Sequence, residues 1–497
     1  MKSTIRRTDP TDNTRQIIMK GITTVSVDIV DDGIRKGLFK RVNIAVIVLM
    51  LVLSLALFYY AAVNQRYALI DDFTGFHQAE YIRITSIAFT CVFAVTFLFQ
   101  IQELRRMPLL YVILAAVMTG LVLLGKISLL DYQSDDYEIF LSGWIYEYSE
   151  MSLWQSFGTY IGSDYSPPYL YFLAFISRIK GFPWLYLIKA ISISFDALLA
   201  FGIMKLAGLK YESPMVRLGA FFITLVLPTV VFNGAYWAQC DAIYTSLCIL
   251  AIYLALKKRD LWSFLVFGIS LSFKLQTIFF LPVLMPLWLR KDIRLRGLIL
   301  IPAGYMLMML PALLAGKSLH HVLTVYFQQA SQYNYITMNG PSLYELMPVT
   351  IETRETFYRI FSQMAMLISI GFVLSICILL SVYREKINHD AVLLTALLFL
   401  TGVPFLLPKM HERYTFGADA MALAVCFYRP RRRVLLPVCF GLSSYILYTC
   451  GLSGEAILEQ KCAALLSFVG IIITFVELVN TLKRSNEGQK TMDMLKA

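Results

Sequence analysis

Apolar runs, most of them about 20 residues long, recur along almost the whole chain, and a run of that length can cross the hydrocarbon layer of a bilayer as one helix. They lie roughly at 43–63, 84–102 and 108–130. After a polar interval they resume roughly at 184–207, 217–235, 240–257, 260–273, 275–290, 296–315 and 358–382. The last four lie roughly at 390–408, 415–428, 433–452 and 460–482. The sequence therefore reads as an all-α polytopic membrane protein of about 14 transmembrane helices.

Composition agrees. Of 497 residues, 58% are hydrophobic and 15% charged, against about 25% charged in an ordinary soluble domain, and mean hydropathy is +0.64. A soluble enzyme is excluded, and an aromatic content of 14% excludes a disordered chain. The 8 cysteines are too sparse for a disulfide scaffold. Cys91, Cys248, Cys377, Cys426 and Cys439 fall inside spans, where thiols pack as small apolar groups. With no Cys-x-x-Cys, neither a structural disulfide nor a zinc site is expected.

The net charge of +11 is distributed as a membrane address. Lys and Arg gather in short clusters between spans: Arg105-Arg106, Lys257-Lys258-Arg259, Arg290-Lys291 with Arg294 and Arg296, and Arg429 with Arg431–Arg433. Cytoplasmic loops carry such an excess, so both termini are expected in the cytoplasm and no nucleic-acid partner is expected. The polar stretch 1–42 reads as a cytoplasmic tail without a small-residue cleavage site. Two spans follow in 43–107. A main body occupies 108–428 with an outer loop at 131–183, two further spans occupy 429–482, and a second cytoplasmic tail is 483–497.

On this topology the acids collect outside. The 131–183 loop holds Asp131, Asp135, Asp136, Glu138, Glu147, Glu150 and Asp164 among many aromatic residues, including Tyr165. Phe140, Trp144 and Tyr148, then Met151 and Trp154, recur at helical spacing, which predicts two amphipathic helices in the interface. Aromatic faces and carboxylates together suit a sugar. Three more segments present polar groups on the same side. One is the turn Trp237-Ala238-Gln239-Cys240-Asp241. The second is Phe273-Lys274-Leu275-Gln276, in the middle of an apolar run. An unpaired charge within a span costs roughly 2.5–3.5 kcal/mol, so Lys274 is expected to reach water or meet an anion. The third is Pro408-Lys409-Met410-His411-Glu412-Arg413-Tyr414.

Asp135-Asp136-Tyr137-Glu138, Asp164-Tyr165-Ser166-Pro167-Pro168, the Trp237–Asp241 turn, the Phe273–Gln276 step and His411-Glu412-Arg413 resemble, in order, the motifs of GT-C glycosyltransferases. The likeness points to the bacterial branch related to GPI-anchor mannosyltransferases, and to the dolichyl-phosphate-glucose-dependent glucosyltransferases. It covers about 110–420. It implies a GT-C fold, a polyprenyl-phosphate-hexose donor, a glycan or glycopolymer acceptor and inversion at the anomeric carbon. Asp136 matches the catalytic base of the Asp-Tyr-Glu run. The Phe-Lys-Gln run is one residue longer here, and His-Glu-Lys is replaced by His-Glu-Arg.

The chemistry of the residues leads the same way. Transfer from a phosphate-linked sugar needs a base on the incoming hydroxyl and positive charge on the departing phosphate. Asp136 is expected as base, with Asp135 as the alternative. Lys274, His411 and Arg413 are expected to hold the donor phosphate. Asp164, Tyr165, Trp237, Gln239, Asp241, Gln276 and Glu412 are expected to bind substrate. No divalent metal or other cofactor is expected, although Asp135-Asp136 with Asp131 or Asp164 is a conceivable cation site. The ordinary alternatives are a helix cap for Asp136, a snorkelling Lys274 and an interfacial anchor for Trp237. A flippase or transporter of a lipid-linked sugar, and a polymerase or ligase of diphosphate-linked glycans, are the competing classes. The expected location is a bacterial plasma membrane, with the active site on its outer face.

Overall fold

The computed structural model describes residues 89–496, apart from 106, 181, 332–334, 348–350 and 455. The expected tail at 1–42 and the first expected span lie outside the described residues. The protein is an all-α polytopic membrane protein. Seven described helices are long and apolar enough to cross a bilayer, and a bent pair makes an eighth.

In chain order the main helices are α1 (Leu109–Ile127), α2 (Ser142–Ser149), α3 (Leu153–Gly158), α4 (Pro167–Ile176), α5 (Trp184–Ala207), α6 (Pro214–Leu225), α7 (Asp241–Leu256) and α8 (Asp260–Phe273). They continue with α9 (Leu300–Leu314), α10 (Leu319–Ser331), α11 (Tyr358–Val382), α12 (His389–Leu406), α13 (Phe416–Tyr428), α14 (Leu435–Ser453) and α15 (Gln460–Lys496). The apolar part of α15 ends at Lys483, and its backbone stays helical through the stretch expected as a tail. Helix α12 is the centre of the bundle, with 89% of its apolar window buried, whereas α9 and α11 are 22% buried and turn most of their surface outward. A helix apolar all round suits both positions.

Several expected spans differ from the helices that form. The run at 217–235 is bent by 53° where Pro228 interrupts the hydrogen-bond ladder between α6 and Pro228–Tyr236, as proline must. The run expected at 275–290 is two short 3-10 turns, Leu275–Phe279 and Leu281–Val283, followed by the six-residue helix Leu284–Leu289. Pro282 and Pro286 supply no backbone donor there. The helices α7, α8 and α13 have 16, 14 and 13 residues. At 1.5 Å per residue these are about 20–24 Å long, less than a ~30 Å hydrocarbon layer.

Close backbone contact holds α8 to α9. A Cβ on Gly268 would stand 2.2 Å from the Ile301 carbonyl oxygen, and one on Gly304 would stand 2.6 Å from that of Leu265. Small residues permit such approach in membrane bundles. Buried charge ties α1 to α5, where Lys126 Nζ meets Asp196 Oδ2 at 2.6 Å with both side chains fully buried. Lys189, also on α5 and buried, donates to the carbonyls of Leu129 (2.7 Å), Leu130 (3.1 Å) and Tyr132 (2.6 Å). These carbonyls lie in the turn that follows α1, beyond its last helical residue. Lys189 thus fixes the exit of α1 just before Asp135 and Asp136.

Candidate active site

The two helices expected in the outer loop are α2 and α3, and each has a buried and an exposed side. Trp144, Ile145 and Tyr148 are buried, while Tyr146 and Trp154 are exposed. Pro167 and Pro168 open α4 at its first positions and are buried. Proline is favoured there because the first helical N–H groups have no partner anyway.

Four segments close around one cavity of about 690 Å³. Every expected site residue except Asp241 lines it: Asp135, Asp136, Asp164, Tyr165, Trp237, Gln239, Lys274, Gln276, His411, Glu412 and Arg413. The first segment is anchored by Ser134, whose Oγ donates to the Trp237 carbonyl at 3.0 Å, and by stacking of Tyr132 on Tyr236 at 3.7 Å. Asp136 heads a π-helical turn, Tyr137–Leu141, but its side chain caps no backbone N–H. Instead its Oδ2 accepts from Gln239 Nε2 at 2.5 Å and from Arg413 Nη1 at 2.7 Å. Asp131, farther from the cavity, accepts a hydrogen bond from Tyr186 and marks the end of α1.

The second segment is the turn after the bent helix pair. Ser192 of α5 donates to the Gln239 carbonyl at 2.8 Å, and the Gln239 N–H donates to the Asn233 carbonyl at 2.8 Å. Trp237 is buried with the Arg413 guanidinium 5.5 Å from its ring centroid. A buried indole of this kind is a cation platform as much as an anchor.

In the third segment Lys274 leaves α8 with an extended backbone, φ −152° and ψ 137°. Its side chain is buried, and Nζ meets Asp241 Oδ1 at 2.5 Å. The expected anion is thus Asp241, and snorkelling does not occur. Asp241 sits fully buried behind the cavity wall, where Asn233 Nδ2 donates to its Oδ2 at 2.9 Å. Ser166 links this break to the Asp164 loop by donating to the carbonyls of Ser272 (2.5 Å) and Phe273 (3.3 Å). Burial pushes the Asp164 carboxyl above its ordinary value, an effect that nearby Arg413 and Lys274 oppose.

The fourth segment is held by a two-residue parallel pairing between β1 (Thr337–Met338) and β2 (Met410–His411). Lys409 Nζ donates to the Ala330 carbonyl at 2.9 Å, and its ammonium lies 5.4 Å from the Tyr358 ring. His411 Nδ1 stands 3.8 Å from Glu412 Oε2. Ala238, Asn339 and Lys409 all carry positive φ, 63°, 57° and 63°, and all three line the cavity. Non-glycine residues adopt that conformation at a cost of order 1–3 kcal/mol, and such strain collects at functional sites.

Four polar atoms of lining residues are buried without a protein hydrogen-bond partner: Gln239 Oε1, Gln276 Oε1, Gln329 Oε1 and Arg413 Nε. Buried polar groups are normally satisfied, so these donors and acceptors are poised for a polar ligand. Sequence reasoning missed three contributors. Gln329 and Asn339 lie in the stretch 328–339, which is rich in Gln, Asn and Tyr but carries no motif. Gly451 of α14 carries no motif. Among the described residues no group of three or more His, Cys, Asp or Glu is placed to hold a metal ion. No protein-family model matches the sequence, and no curated protein matches it.

Proposed function

We propose that the protein is an inverting hexosyltransferase of the GT-C fold, with about 14 spans. It moves one hexose from a polyprenyl-phosphate donor to a hydroxyl of a surface glycan on the outer face of a bacterial plasma membrane. The carrying observation is one cavity that holds a carboxylate, Asp136, within reach of a cation, Arg413, with a second cation, Lys274, in its wall. Its volume falls in the ~300–1,000 Å³ range of ligand sites, and its walls are of two kinds. Leu275, Ile278, Phe279 and Met366 offer an apolar side to a lipid, and the carboxylates and amides offer a polar side to a sugar.

In this reading Asp136 takes the proton of the acceptor hydroxyl. The hydroxyl oxygen bonds to the anomeric carbon as the bond from that carbon to the phosphate oxygen breaks, and polyprenyl phosphate leaves with the electron pair. Lys274, His411 and Arg413 stabilise the negative charge that develops on the departing phosphate. Arg413 is suited to two partners because a guanidinium presents several donors in a fixed fork. Asp164, Tyr165, Trp237, Gln276 and Glu412 shape the sugar and acceptor subsites.

The test is donor turnover by the purified protein in lipid nanodiscs, with a panel of polyprenyl-phosphate hexoses and a membrane extract as acceptor. Release of polyprenyl phosphate from one donor, lost in Asp136→Asn, supports the reading. Turnover that survives in Asp136→Asn and is lost in Asp135→Asn moves the base by one residue. Binding without consumption of any donor overturns the transferase in favour of a flippase.

A further inference from the structure

Helices α7, α12 and α13 run from the cavity to the opposite end of the bundle, and a second, basic pocket of about 430 Å³ lies there. At 1.5 Å per residue, the 18 residues of α12 separate the two sites by about 27 Å. Three basic side chains, Lys210, Arg290 and Arg429, line this pocket together with His389, against the single carboxylate of Asp390.

That carboxylate is already engaged from the buried side. Arg433, fully buried, donates from Nη1 to Asp390 Oδ1 and from Nη2 to Oδ2 (3.0 Å), and its Nε reaches Glu477 Oε2 at 3.0 Å. Arg429 Nε adds a contact to Asp390 Oδ2 at 3.0 Å. Lys210 donates to the Tyr428 backbone carbonyl, a neutral partner. Arg290 is already paired with buried Asp292, Nε to Oδ2 at 2.6 Å, so the basic surplus of the lining rests on Lys210 and Arg429 against the Asp390 carboxylate that Arg433 also holds. The α12 N-terminus adds partial positive charge through its first-turn N–H groups, of which Ala391 N–H is capped by Asn388 Oδ1 at 2.9 Å. A second, independent feature points to a ligand. Tyr428 lines the pocket, is 4% exposed, and its hydroxyl has no protein hydrogen-bond partner.

We propose that this pocket binds the phosphate of an anionic phospholipid. Lys210 and Arg429 take the phosphate oxygens as charge-assisted donors, the Tyr428 hydroxyl donates a third bond, and Arg290 closes the rim. The acyl chains lie beside Val434, Leu435 and Val438, which follow Arg433 in the chain and are 52%, 53% and 45% exposed. Basic pockets between helices at a membrane face bind phosphate headgroups in this way.

Native mass spectrometry of the delipidated full chain tests it, with titration by dioleoyl phosphatidic acid, by dioleoyl phosphatidylcholine and, separately, by inorganic phosphate. One phosphatidic acid is expected to remain bound in preference to phosphatidylcholine. Its affinity is expected to fall about tenfold in Lys210→Gln and in Arg429→Gln, in line with loss of one charge-assisted bond. A smaller fall is expected in Tyr428→Phe, and none in Lys386→Gln. Lys210 is an exposed loop residue, so its variant keeps the test alive if Arg429→Gln fails to fold. Competition of inorganic phosphate with phosphatidic acid supports phosphate recognition. A pocket-dependent response to inorganic phosphate alone overturns the lipid source. Equal lipid affinity in wild type and variants overturns the site.

Discussion

Arg413 donates to Asp136 across 277 positions of sequence, at 2.7 Å and on the same carboxylate oxygen that Gln239 contacts at 2.5 Å. Both donors use Oδ2, and Oδ1 accepts no hydrogen bond among the described residues. The carboxylate is thus locked in orientation with Oδ1 left open, which is what the proposed base role requires. Asp136→Asn is expected to lower kcat about 10²–10⁴-fold, the usual worth of a general base, with the thermal midpoint little changed. Gln239→Met, which frees the carboxylate to rotate, should cost about tenfold in kcat at similar KM. Steady-state release of polyprenyl phosphate measures both. A Gln239→Met enzyme with wild-type kcat would show that orientation of Asp136 is unimportant.

Lys274 and Asp241 separate structural from chemical roles. Their pair is buried and Asp241 has no access to the cavity, so Asp241→Asn leaves an uncompensated ammonium. A loss of roughly 3–5 kcal/mol is expected from breaking a buried pair on one side. The double variant Lys274→Met with Asp241→Asn removes the stranded charge and should regain most of the thermal midpoint, while donor turnover stays lost. Recovery of turnover along with stability would remove Lys274 from the phosphate site.

The pair also marks the limit of what the sequence made legible. Apolar runs disclosed an all-α membrane protein, because a helix satisfies every backbone polar group within its own segment in lipid. The polar motifs at one end of those runs disclosed which segments meet. Hydropathy counts apolar residues but does not say where the backbone leaves the helix, so the bend at Pro228 and the 3-10 turns over 275–283 were missed, whereas the ends of α8 and the step at Lys274 were legible. Partner choice was equally hidden. The anion for Lys274 is Asp241, and Asn233 bonds both Asp241 and the Tyr448 hydroxyl of α14 (3.2 Å). That contact rests on lateral packing of helices with no shared motif.

Asp164 is expected to trade stability for function. Burial raises its carboxyl above the ordinary value of 3.8, so the folded protein holds that proton more tightly than the unfolded chain does. This contribution to stability is present at low pH and is lost as pH rises through the raised value. Asp164→Asn removes the ionised, buried group. Its thermal midpoint should exceed that of wild type near pH 7–8, with the gap closing toward about pH 4. Thermal melts of both proteins across this range, in the same nanodiscs, measure the effect. A gap that widens on acidification would contradict the assigned direction. Lower turnover in the more stable variant would place Asp164 at the acceptor.

Gly451 connects α14 to the site, although the family likeness ends before this helix. A Cβ at this position would meet the Trp237 ring at 2.6 Å and Glu412 Cδ at 3.3 Å. Both neighbours are buried and neither is a flexible chain end, so the ring must shift. Trp237 lies under the Arg413 guanidinium, and Arg413 in turn holds Asp136. Gly451→Ala is therefore expected to cost 1–3 kcal/mol by overpacking, roughly, and to lower kcat/KM for the donor about tenfold through displaced Arg413. Trp237→Phe, which shortens the ring, should restore part of the turnover when combined with Gly451→Ala. Independent, additive losses in the double variant would show that α14 acts on stability alone.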